Sequence, residues 1–265
     1  MRAAVLGSPI SHSLSPALHR AAYAALDLPW RYEVIELLPA GLPAFLDGLD
    51  DHWVGLSLTM PLKQTVLPLL GTASELVRIT GAANTVVLTG SERHGHNTDV
   101  AGIVVALREA GLERPQTGAV LGAGATAASA LAALAEVGCS QVCVYARSVE
   151  RAAGLRAVAE QLDLTLQIAL LTADLVGPGC DVVVNTTPAG ALDEVVSQAR
   201  PLDGNPMLLD VVYHPWPTPL AALFTAAAAT VVPGLAMLLH QAAAQVELMT
   251  GRPAPLAAMR AALPA

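Results

Sequence analysis

The sequence predicts an α/β protein of two domains, and three observations lead to that prediction. Short apolar segments alternate with helical patterns along most of the 265 residues, as in chains built from β-α-β units. One apolar segment, residues 117–121, continues directly into a glycine-rich turn and an alanine-rich helix. A proline-containing stretch at 111–118 separates that half from the first hundred residues, as a connection between domains does.

The first hundred residues read as alternating strands and helices. We predict strands at 2–6, 31–37, 53–58 and 82–88, and helices from Ser15, at 39–49 and at 100–111. Ser15 and Pro16 are typical of a helix start, with Ser15 as the N-cap and Pro16 at the first helical position. Thr59 and Lys63 then follow a strand on a loop, at the edge where open α/β sheets bind ligands.

The second half continues with further buried strands. We predict strands at 117–121, 141–145, 181–185, 207–212 and 229–232, and helices at 127–137, 235–250 and 255–263. The periodicity of the helix at 235–250 indicates that Met237 belongs to the core and that Gln241 is a surface amide.

Composition excludes several classes of protein. Hydrophobic residues make up 54% of the chain and charged residues 14%, which indicates a compact globular protein. The net charge is −8 without any lysine or arginine run, which argues against nucleic-acid binding. The apolar N-terminal run is too short for a signal peptide, and Pro233 and Gly234 interrupt the longest uncharged segment. We therefore expect a cytoplasmic protein without a membrane segment.

The three cysteines, Cys139, Cys143 and Cys180, lack the spacing of a zinc site or of a redox pair. We expect them to be small buried apolar residues in a reducing compartment, and we expect no metal.

Lys63 is the only lysine of the chain, beside thirteen arginines. Lysine is a compact charge that can lose its proton when it is buried, whereas arginine is always charged, so Lys63 is a candidate proton donor and acceptor. Asp99, at the start of the helix predicted near residue 100, is its candidate carboxylate partner, although it could also be a simple helix cap. Ser13 and Ser15 lie at a helix N-terminus, where hydroxyl and N–H groups suit a carboxylate ligand.

The turn after residues 117–121 carries the pattern G-x-G-x-x-A, with Gly122, Gly124 and Ala127 as its fixed positions. With a strand before it and a helix after it, the pattern predicts a dinucleotide site in a Rossmann-like domain. The glycines permit a tight turn, and the helix N-terminus holds the pyrophosphate. The next strand ends at Arg147 and Ser148, followed by Arg151, where an NAD site usually has an acidic residue. Two guanidinium groups and a hydroxyl suit a 2′-phosphate, so the sequence favours NADP.

Seven motifs together resemble the shikimate dehydrogenase family over nearly the whole chain. They are Gly7-Ser8-Pro9-Ile10 with His12-Ser13-Leu14-Ser15-Pro16, Leu58-Thr59-Met60-Pro61-Leu62-Lys63, Gly81-Ala82-Ala83-Asn84-Thr85, Asn97-Thr98-Asp99, Gly122-Ala123-Gly124, Asn185-Thr186-Thr187-Pro188-Ala189-Gly190, and Gly234 with Met237-Leu238 and Gln241. The resemblance implies NADPH-dependent reduction of 3-dehydroshikimate to shikimate, in aromatic amino-acid and chorismate biosynthesis. It also implies a substrate domain of residues 1–101 and 237–265, an NADP-binding domain of residues 102–236, and a cleft between them.

The resemblance also assigns roles to individual residues. Lys63 would be the proton donor to the substrate carbonyl, and Asp99 would orient it. The residues implied in substrate binding are Ser13, Ser15, Thr59, Asn84, Tyr213 and Gln241. Those implied in cofactor binding are Gly122, Ala123, Gly124, Ala125, Thr126, Arg147, Ser148, Arg151, Thr186, Val211, Gly234 and Met237. The expected partners are small molecules alone, and the chain is expected to be a monomer or a homodimer.

Some positions depart from the family pattern, and two other functions stay open. Relatives commonly have Asn-Arg-Thr where this chain has Ala146-Arg147-Ser148, and Ala191 and Val211 stand where methionine is found in other members. The alternatives are an NAD-dependent quinate/shikimate dehydrogenase, which the two arginines and the serines at 13 and 15 disfavour, and a non-catalytic NADP-binding sensor. The presence of both Lys63 and Asp99 argues against a sensor.

Overall fold

A computed structural model describes residues 1–264 of the chain. The chain divides into two compact units. Unit 1 consists of Met1–Gly102 together with the segment from Leu238 to the end of the described chain, and unit 2 is Ile103–Met237.

The strands within residues 1–264 are, in order, β1 Arg2–Gly7, β2 Arg31–Glu36, β3 Trp53–Leu58, β4 Thr72–Ala73, β5 Thr85–Thr89, β6 Glu92–His96, β7 Thr117–Leu121, β8 Gln141–Ala146, β9 Thr165–Leu170, β10 Val182–Asn185, β11 Met207–Asp210 and β12 Val231–Pro233.

The helices are α1 Ser15–Ala25, α2 Leu42–Asp47, α3 Leu62–Thr65, α4 Glu75–Thr80, α5 Asp99–Glu109, α6 Ala125–Val137, α7 Val149–Ala152, α8 Leu155–Gln161, α9 Asp193–Ser197, α10 Pro219–Ala226, α11 Gly234–Thr250 and α12 Leu256–Ala261. Short 3₁₀ turns lie at Pro39–Gly41 and Leu67–Leu69.

Unit 1 is built on a mixed six-stranded sheet in the order β2-β1-β3-β5-β6-β4. The strands β2, β1 and β3 are parallel, and β5 is antiparallel to both β3 and β6. Alternate residues of β1 pack in two different apolar clusters, one on each face of the sheet. Ala4 and Leu6 pack with α2 and α3, while Ala3 and Val5 pack with Tyr23 of α1. Because the central strand is apolar on both faces, the sheet is covered by helices on both sides.

Unit 2 is built on a parallel six-stranded sheet in the order β12-β11-β10-β7-β8-β9. With β7 counted as the first strand, this is the 3-2-1-4-5-6 order of doubly wound nucleotide-binding sheets. The predicted fold class, an α/β substrate domain joined to a Rossmann-like domain, is confirmed.

Several local predictions are wrong. Ser15 is the first residue of α1 rather than its N-cap, which is Leu14 and makes no side-chain capping bond. The helix predicted at 39–49 is a 3₁₀ turn followed by α2. Lys63 lies in the one-turn helix α3 and not on a loop. Cys143 and Cys180 are only partly buried, although all three cysteines are free thiols.

None of the helices within residues 1–264 combines the length and apolarity needed to cross a membrane.

Candidate active site and dinucleotide site

Lys63 and Asp99 form an ion pair in unit 1. The Lys63 Nζ lies 2.5 Å from Asp99 Oδ2, and the two side chains are 13% and 6% exposed. The backbone of α3 is held beside the start of β5, because Ala83 donates its N–H to the Lys63 carbonyl at 2.8 Å. A cation and a carboxylate so far removed from water form a pair whose separation is costly, so the position of the ammonium group is well defined.

Asn84 organises the other side of Asp99. Its side chain is almost fully buried, and its Nδ2 donates to Asp99 Oδ1 at 2.8 Å and to Thr98 Oγ1 at 2.9 Å. Its Oδ1 accepts the Thr98 backbone N–H at 2.8 Å. Asp99 therefore receives a different donor on each carboxylate oxygen, the ammonium group on Oδ2 and the amide on Oδ1.

Asn97 provides a hydrogen-bond acceptor for the backbone at the start of helix α5, since its Oδ1 accepts the Asp99 N–H at 3.1 Å. Its Nδ2 donates to Thr80 Oγ1 at 2.9 Å, which anchors the turn to α4. With Asn97 in this role, the Asp99 carboxylate bonds to Lys63 and Asn84 instead of acting as a plain helix cap.

Gln241, on α11, joins this cluster although it is distant in sequence. It is only 8% exposed, its Oε1 lies 3.4 Å from Asn84 Nδ2, and its Nε2 donates to the Leu238 carbonyl at 2.8 Å. The prediction of a surface amide from helical periodicity is therefore wrong. A periodic pattern marks the apolar face of a helix and cannot show that a polar residue faces a buried polar cluster.

The remaining predicted substrate residues of unit 1 lie in the segments that follow the parallel strands β1 and β3. Ser15 is buried at the start of α1, and its N–H lies 3.3 Å from Ser13 Oγ. Thr59 follows β3 and donates its N–H to the Leu6 carbonyl at 2.9 Å. A Cβ at Gly7 would overlap the Thr59 methyl group and lie 2.8 Å from the Met60 carbonyl, so the two loops approach closely only with glycine there.

Unit 1 also contains buried polar side chains that sequence reasoning missed. They are His19, Tyr32, Ser57, Thr85 and Gln245. Burial raises the pKa of the Tyr32 phenol and lowers the pKa of His19 to about 4, although the hydrogen bond that His19 makes to Gln245 acts on the His19 pKa in the opposite direction. The sequence offers no signal for them, because a helix or strand pattern does not show that a single polar side chain is buried.

The glycine-rich turn in unit 2 joins β7 to α6. Gly122 has φ +111°, and a Cβ there would lie 2.6 Å from Thr186 Oγ1, which itself donates to the Leu121 carbonyl at 2.9 Å. Gly124 is the N-cap of α6 without a side-chain cap, and nothing lies within 4 Å of a Cβ built on it. The N–H groups of Ala125 and Thr126 at this helix start, with Ala123 beside them in the turn, suit a pyrophosphate.

The predicted 2′-phosphate site lies after β8. Arg147 and Arg151 are exposed, and Ser148 caps the short helix α7 by accepting the Arg151 N–H at 3.2 Å. The Ser148 hydroxyl also donates to Glu150 Oε2 at 2.8 Å, which holds the pKa of that carboxyl below its usual range. The two guanidinium groups remain solvent-accessible for an anion, whereas the Ser148 hydroxyl is engaged by its own helix.

Other predicted residues of unit 2 surround the ends of β10 and β11. Asp210, at the end of β11, is fully buried and accepts from Asn185 Nδ2 at 2.8 Å and from Thr218 Oγ1 at 2.6 Å. The bond from Asn185, at the end of β10, joins the two strands. A Cβ at Gly234 would collide with the Val211 carbonyl, so glycine permits α11 to begin there. Tyr213 is partly buried in the loop after β11, and Met237 is buried on α11. Tyr213 is thus the one predicted substrate residue that belongs to unit 2.

Comparison with protein families gives two matches. Residues 5–86 match the shikimate dehydrogenase substrate binding domain, and residues 234–263 match the shikimate 5'-dehydrogenase C-terminal domain. The chain is 39% identical to the shikimate dehydrogenase (NADP(+)) of Natronomonas pharaonis, over 98% of this chain and 97% of the relative. It is 36% identical to that of Thermosynechococcus vestitus, over 98% and 93%.

Solved structures give the same result. The structure is similar to Mycobacterium tuberculosis shikimate dehydrogenase with a TM-score of 0.87 at 41% identity, covering 98% of this chain and 97% of the other. It is also similar to Thermus thermophilus shikimate 5-dehydrogenase in complex with NADP(H) and shikimate, with a TM-score of 0.86 at 32% identity, covering 99% and 100%.

Proposed function

The chain belongs to the shikimate dehydrogenase family, and from that membership we infer that it catalyses the reversible NADPH-dependent reduction of 3-dehydroshikimate to shikimate. The reaction is a step of chorismate and aromatic amino-acid biosynthesis. The observation that supports this function within the chain is the buried contact between Lys63 and Asp99. A protein that only bound NADP would have no need for a sequestered proton donor with its own carboxylate partner.

Lys63 and Asp99 carry the proton in the proposed reaction. The nicotinamide, when bound, supplies a hydride to the carbonyl carbon. The Lys63 ammonium group donates a proton to the carbonyl oxygen, which becomes a hydroxyl, and the same amine takes that proton back in the reverse direction. Asp99 keeps the ammonium group oriented and favours its charged form.

Six further residues bind the substrate in this proposal. Ser13, Ser15 and Tyr213 hold the carboxylate, for which the hydroxyl groups and the N-terminus of α1 are suitable donors. Thr59, Asn84 and Gln241 hold the ring hydroxyls, and the burial of Asn84 and Gln241 makes this recognition specific. A buried polar group that loses its partner carries a large penalty, so a substrate lacking a hydroxyl is rejected.

Unit 2 binds NADP in this proposal. The turn at Gly122 and the N-terminus of α6 receive the pyrophosphate, and Arg147 and Arg151 pair with the 2′-phosphate. Ala123, Ala125, Thr126 and Ser148 complete the adenosine side, with Ser148 acting chiefly as the cap of α7. Thr186, Val211, Gly234 and Met237 serve the nicotinamide side.

We propose further that the enzyme is cytoplasmic, works on small molecules without nucleic acid, and is a monomer or a homodimer. A spectrophotometric assay tests the function by crossing NADPH and NADH with 3-dehydroshikimate and 3-dehydroquinate. We expect turnover with NADPH and 3-dehydroshikimate. Faster turnover of 3-dehydroquinate with NADH would favour a quinate/shikimate dehydrogenase. Binding of NADPH without turnover of either substrate would identify a sensor.

A further inference from the structure

We propose that Gln245 is a positioning residue for this reaction, whose buried side-chain amide fixes the orientation of Asn84 and, through Asn84, of the Asp99–Lys63 pair. The proposal rests on the proposed function of the same site. Gln245 lies on α11, one turn after Gln241, and is 1% exposed. The four hydrogen bonds of its side chain reach His19, Ser57, Asn84 and Thr85, and none of them reaches Lys63 or Asp99. Gln245 therefore acts on the pair through its neighbours.

All four hydrogen-bonding positions of the Gln245 amide are used. Its Nε2 donates to the Asn84 carbonyl at 3.3 Å and to Thr85 Oγ1 at 3.0 Å. Its Oε1 accepts the Ser57 hydroxyl at 2.7 Å and faces His19 Nε2 at 3.1 Å. A carbonyl oxygen only accepts, so the contact with Asn84 fixes which end of the amide is the nitrogen. His19 Nε2 then carries the proton that Oε1 accepts.

The hydrogen bonds continue from Gln245 through Thr85 and Asn84 to the Asp99–Lys63 pair. Thr85 Oγ1 receives one N–H from Gln245 and donates its own proton to Asn84 Oδ1 at 2.8 Å. With its oxygen held in this way, the Asn84 amide presents its nitrogen to Asp99 Oδ1. Loss of the Gln245 donors removes the contact that orients the Thr85 hydroxyl and one of the two donors on the Asn84 carbonyl, the other being the Leu58 N–H.

A second set of hydrogen bonds leads from the same amide to Ser57 and Tyr32. The Ser57 hydroxyl that donates to Gln245 accepts from Tyr32 OH at 2.6 Å. Gln245 therefore also holds the buried hydroxyl groups of Ser57 on β3 and, through it, of Tyr32 on β2.

The test compares Gln245→Met with Val246→Ala, both in the full-length enzyme. Methionine keeps the length of the side chain but removes its donors and acceptor. Val246 is the next residue of α11, is fully buried in an apolar cluster, and has no part in the hydrogen-bond network. Its truncation therefore controls for a loss of stability alone.

We expect Gln245→Met to lower kcat by on the order of tenfold to a hundredfold, as small displacements of reacting groups do, with the KM for NADP+ within about twofold of the parent. Val246→Ala should lower Tm and leave kcat within about twofold. An unchanged kcat in folded Gln245→Met, or an equal loss of kcat in Val246→Ala, would overturn the proposal. Absence of turnover in the parent enzyme would instead refute the proposed function.

Two single variants cover the case in which Gln245→Met does not fold well enough to assay. Thr85→Val and Ser57→Ala each remove one hydroxyl partner of Gln245 and leave the amide in place. We expect Thr85→Val to lower kcat more than Ser57→Ala does, because only the Thr85 hydroxyl bonds directly to the Asn84 side chain. Where Gln245→Met is active, combining it with Thr85→Val should cost less than the product of the separate effects. Strictly multiplicative effects, or a Thr85→Val variant with the parent kcat, would contradict the proposal.

Discussion

At the scale of single residues, the pair of Lys63 and Asp99 combines burial with full hydrogen bonding on the carboxylate. An ion pair in this environment contributes little net stability, because desolvation offsets much of the attraction between the charges. In the proposed reaction, its value lies in holding the proton donor at a defined position while water has little access. Asp99 keeps that position because Asn84 and the start of α5 hold it independently of the lysine.

The first prediction concerns Lys63→Met. Removing the proposed proton donor should lower kcat by about 10²- to 10⁴-fold, the range that a positioned acid contributes. Binding of NADPH, measured by calorimetry, should be unchanged, because the residues proposed to bind the dinucleotide belong to unit 2. Arg93→Met, which breaks the Arg93–Asp47 ion pair on the surface of unit 1, is the matched control and should retain activity. A Lys63→Met enzyme with the parent rate would refute the role of Lys63.

The second prediction concerns His19 and acid stability. Burial lowers the pKa of His19 to about 4 in the folded protein, against 6.5 when it is exposed. The unfolded chain therefore binds more protons between these values, and the unfolding free energy falls as the pH drops below 6.5. From pH 7.5 to pH 5 the loss attributable to this group is about 2 kcal/mol.

Denaturant titrations of the parent and of His19→Gln at several pH values measure this effect. The variant should be less stable at neutral pH, because a packed and hydrogen-bonded ring is lost, but its stability should depend less on pH. His52→Gln removes an exposed histidine and should keep the full pH dependence. Parallel curves for the parent and His19→Gln would show that His19 is not the group that titrates.

At the scale of helices and strands, the sequence predicted regular apolar elements well and polar ones poorly. The strands β3 and β7 have the predicted bounds, because continuous apolar runs between turn residues leave few alternatives. The strand β6, Glu92–His96, was missed because its residues are mostly polar and it is defined by pairing with β5. The six-residue helix α4 was missed too, since it is capped by Ser74 but too short to show a period.

The residues of the candidate site also divide into those that a sequence pattern indicates and those that it does not. The sequence singled out Lys63 by its rarity and the glycines of the dinucleotide turn by their spacing, and the resemblance supplied most of the other residues. Neither source pointed to Gln245, because a lone amide on a helix looks like a surface residue until its partners on β3 and β5 are known. Ser15 was predicted at the correct turn but at the wrong helical position, since N-cap and first-turn preferences overlap there.

The third prediction tests the turn before α6 by comparing Gly122→Ala with Gly138→Ala. Both glycines have strongly positive φ, +111° and +115°, and they lie at opposite ends of the same helix. Both variants should lose stability, because alanine is strained in this region. Only Gly122→Ala places a methyl group against Thr186, so it alone should raise the KM for NADP+, by about tenfold or more. Equal KM values in the two variants would contradict a cofactor role for this turn.

At the scale of the whole molecule, unit 1 is assembled from two distant parts of the chain. One apolar cluster joins Leu18 and Ala22 of α1 to Leu239 and Val246 of α11 and to Met259 of α12. The C-terminal segment also brings Gln241 and Gln245 into contact with Asn84, beside the Asp99–Lys63 pair. The residues proposed to bind the substrate in unit 1 therefore come from both parts of the chain, whereas the sheet of unit 2 is continuous in sequence.

The fourth prediction assigns one ligand to each unit. Hydrogen exchange of the full chain, followed by mass spectrometry, should show that shikimate alone slows exchange in residues 84–102 and 238–246, because a ligand stabilises the conformation that it binds. NADP+ alone should slow exchange in residues 118–130 and 146–152, and each ligand serves as the control for the other. Protection by shikimate confined to unit 2 would reverse the assignment of the units. Protection by neither ligand, at concentrations well above the KM of each, would mean that the substrate and the cofactor bind elsewhere on the chain.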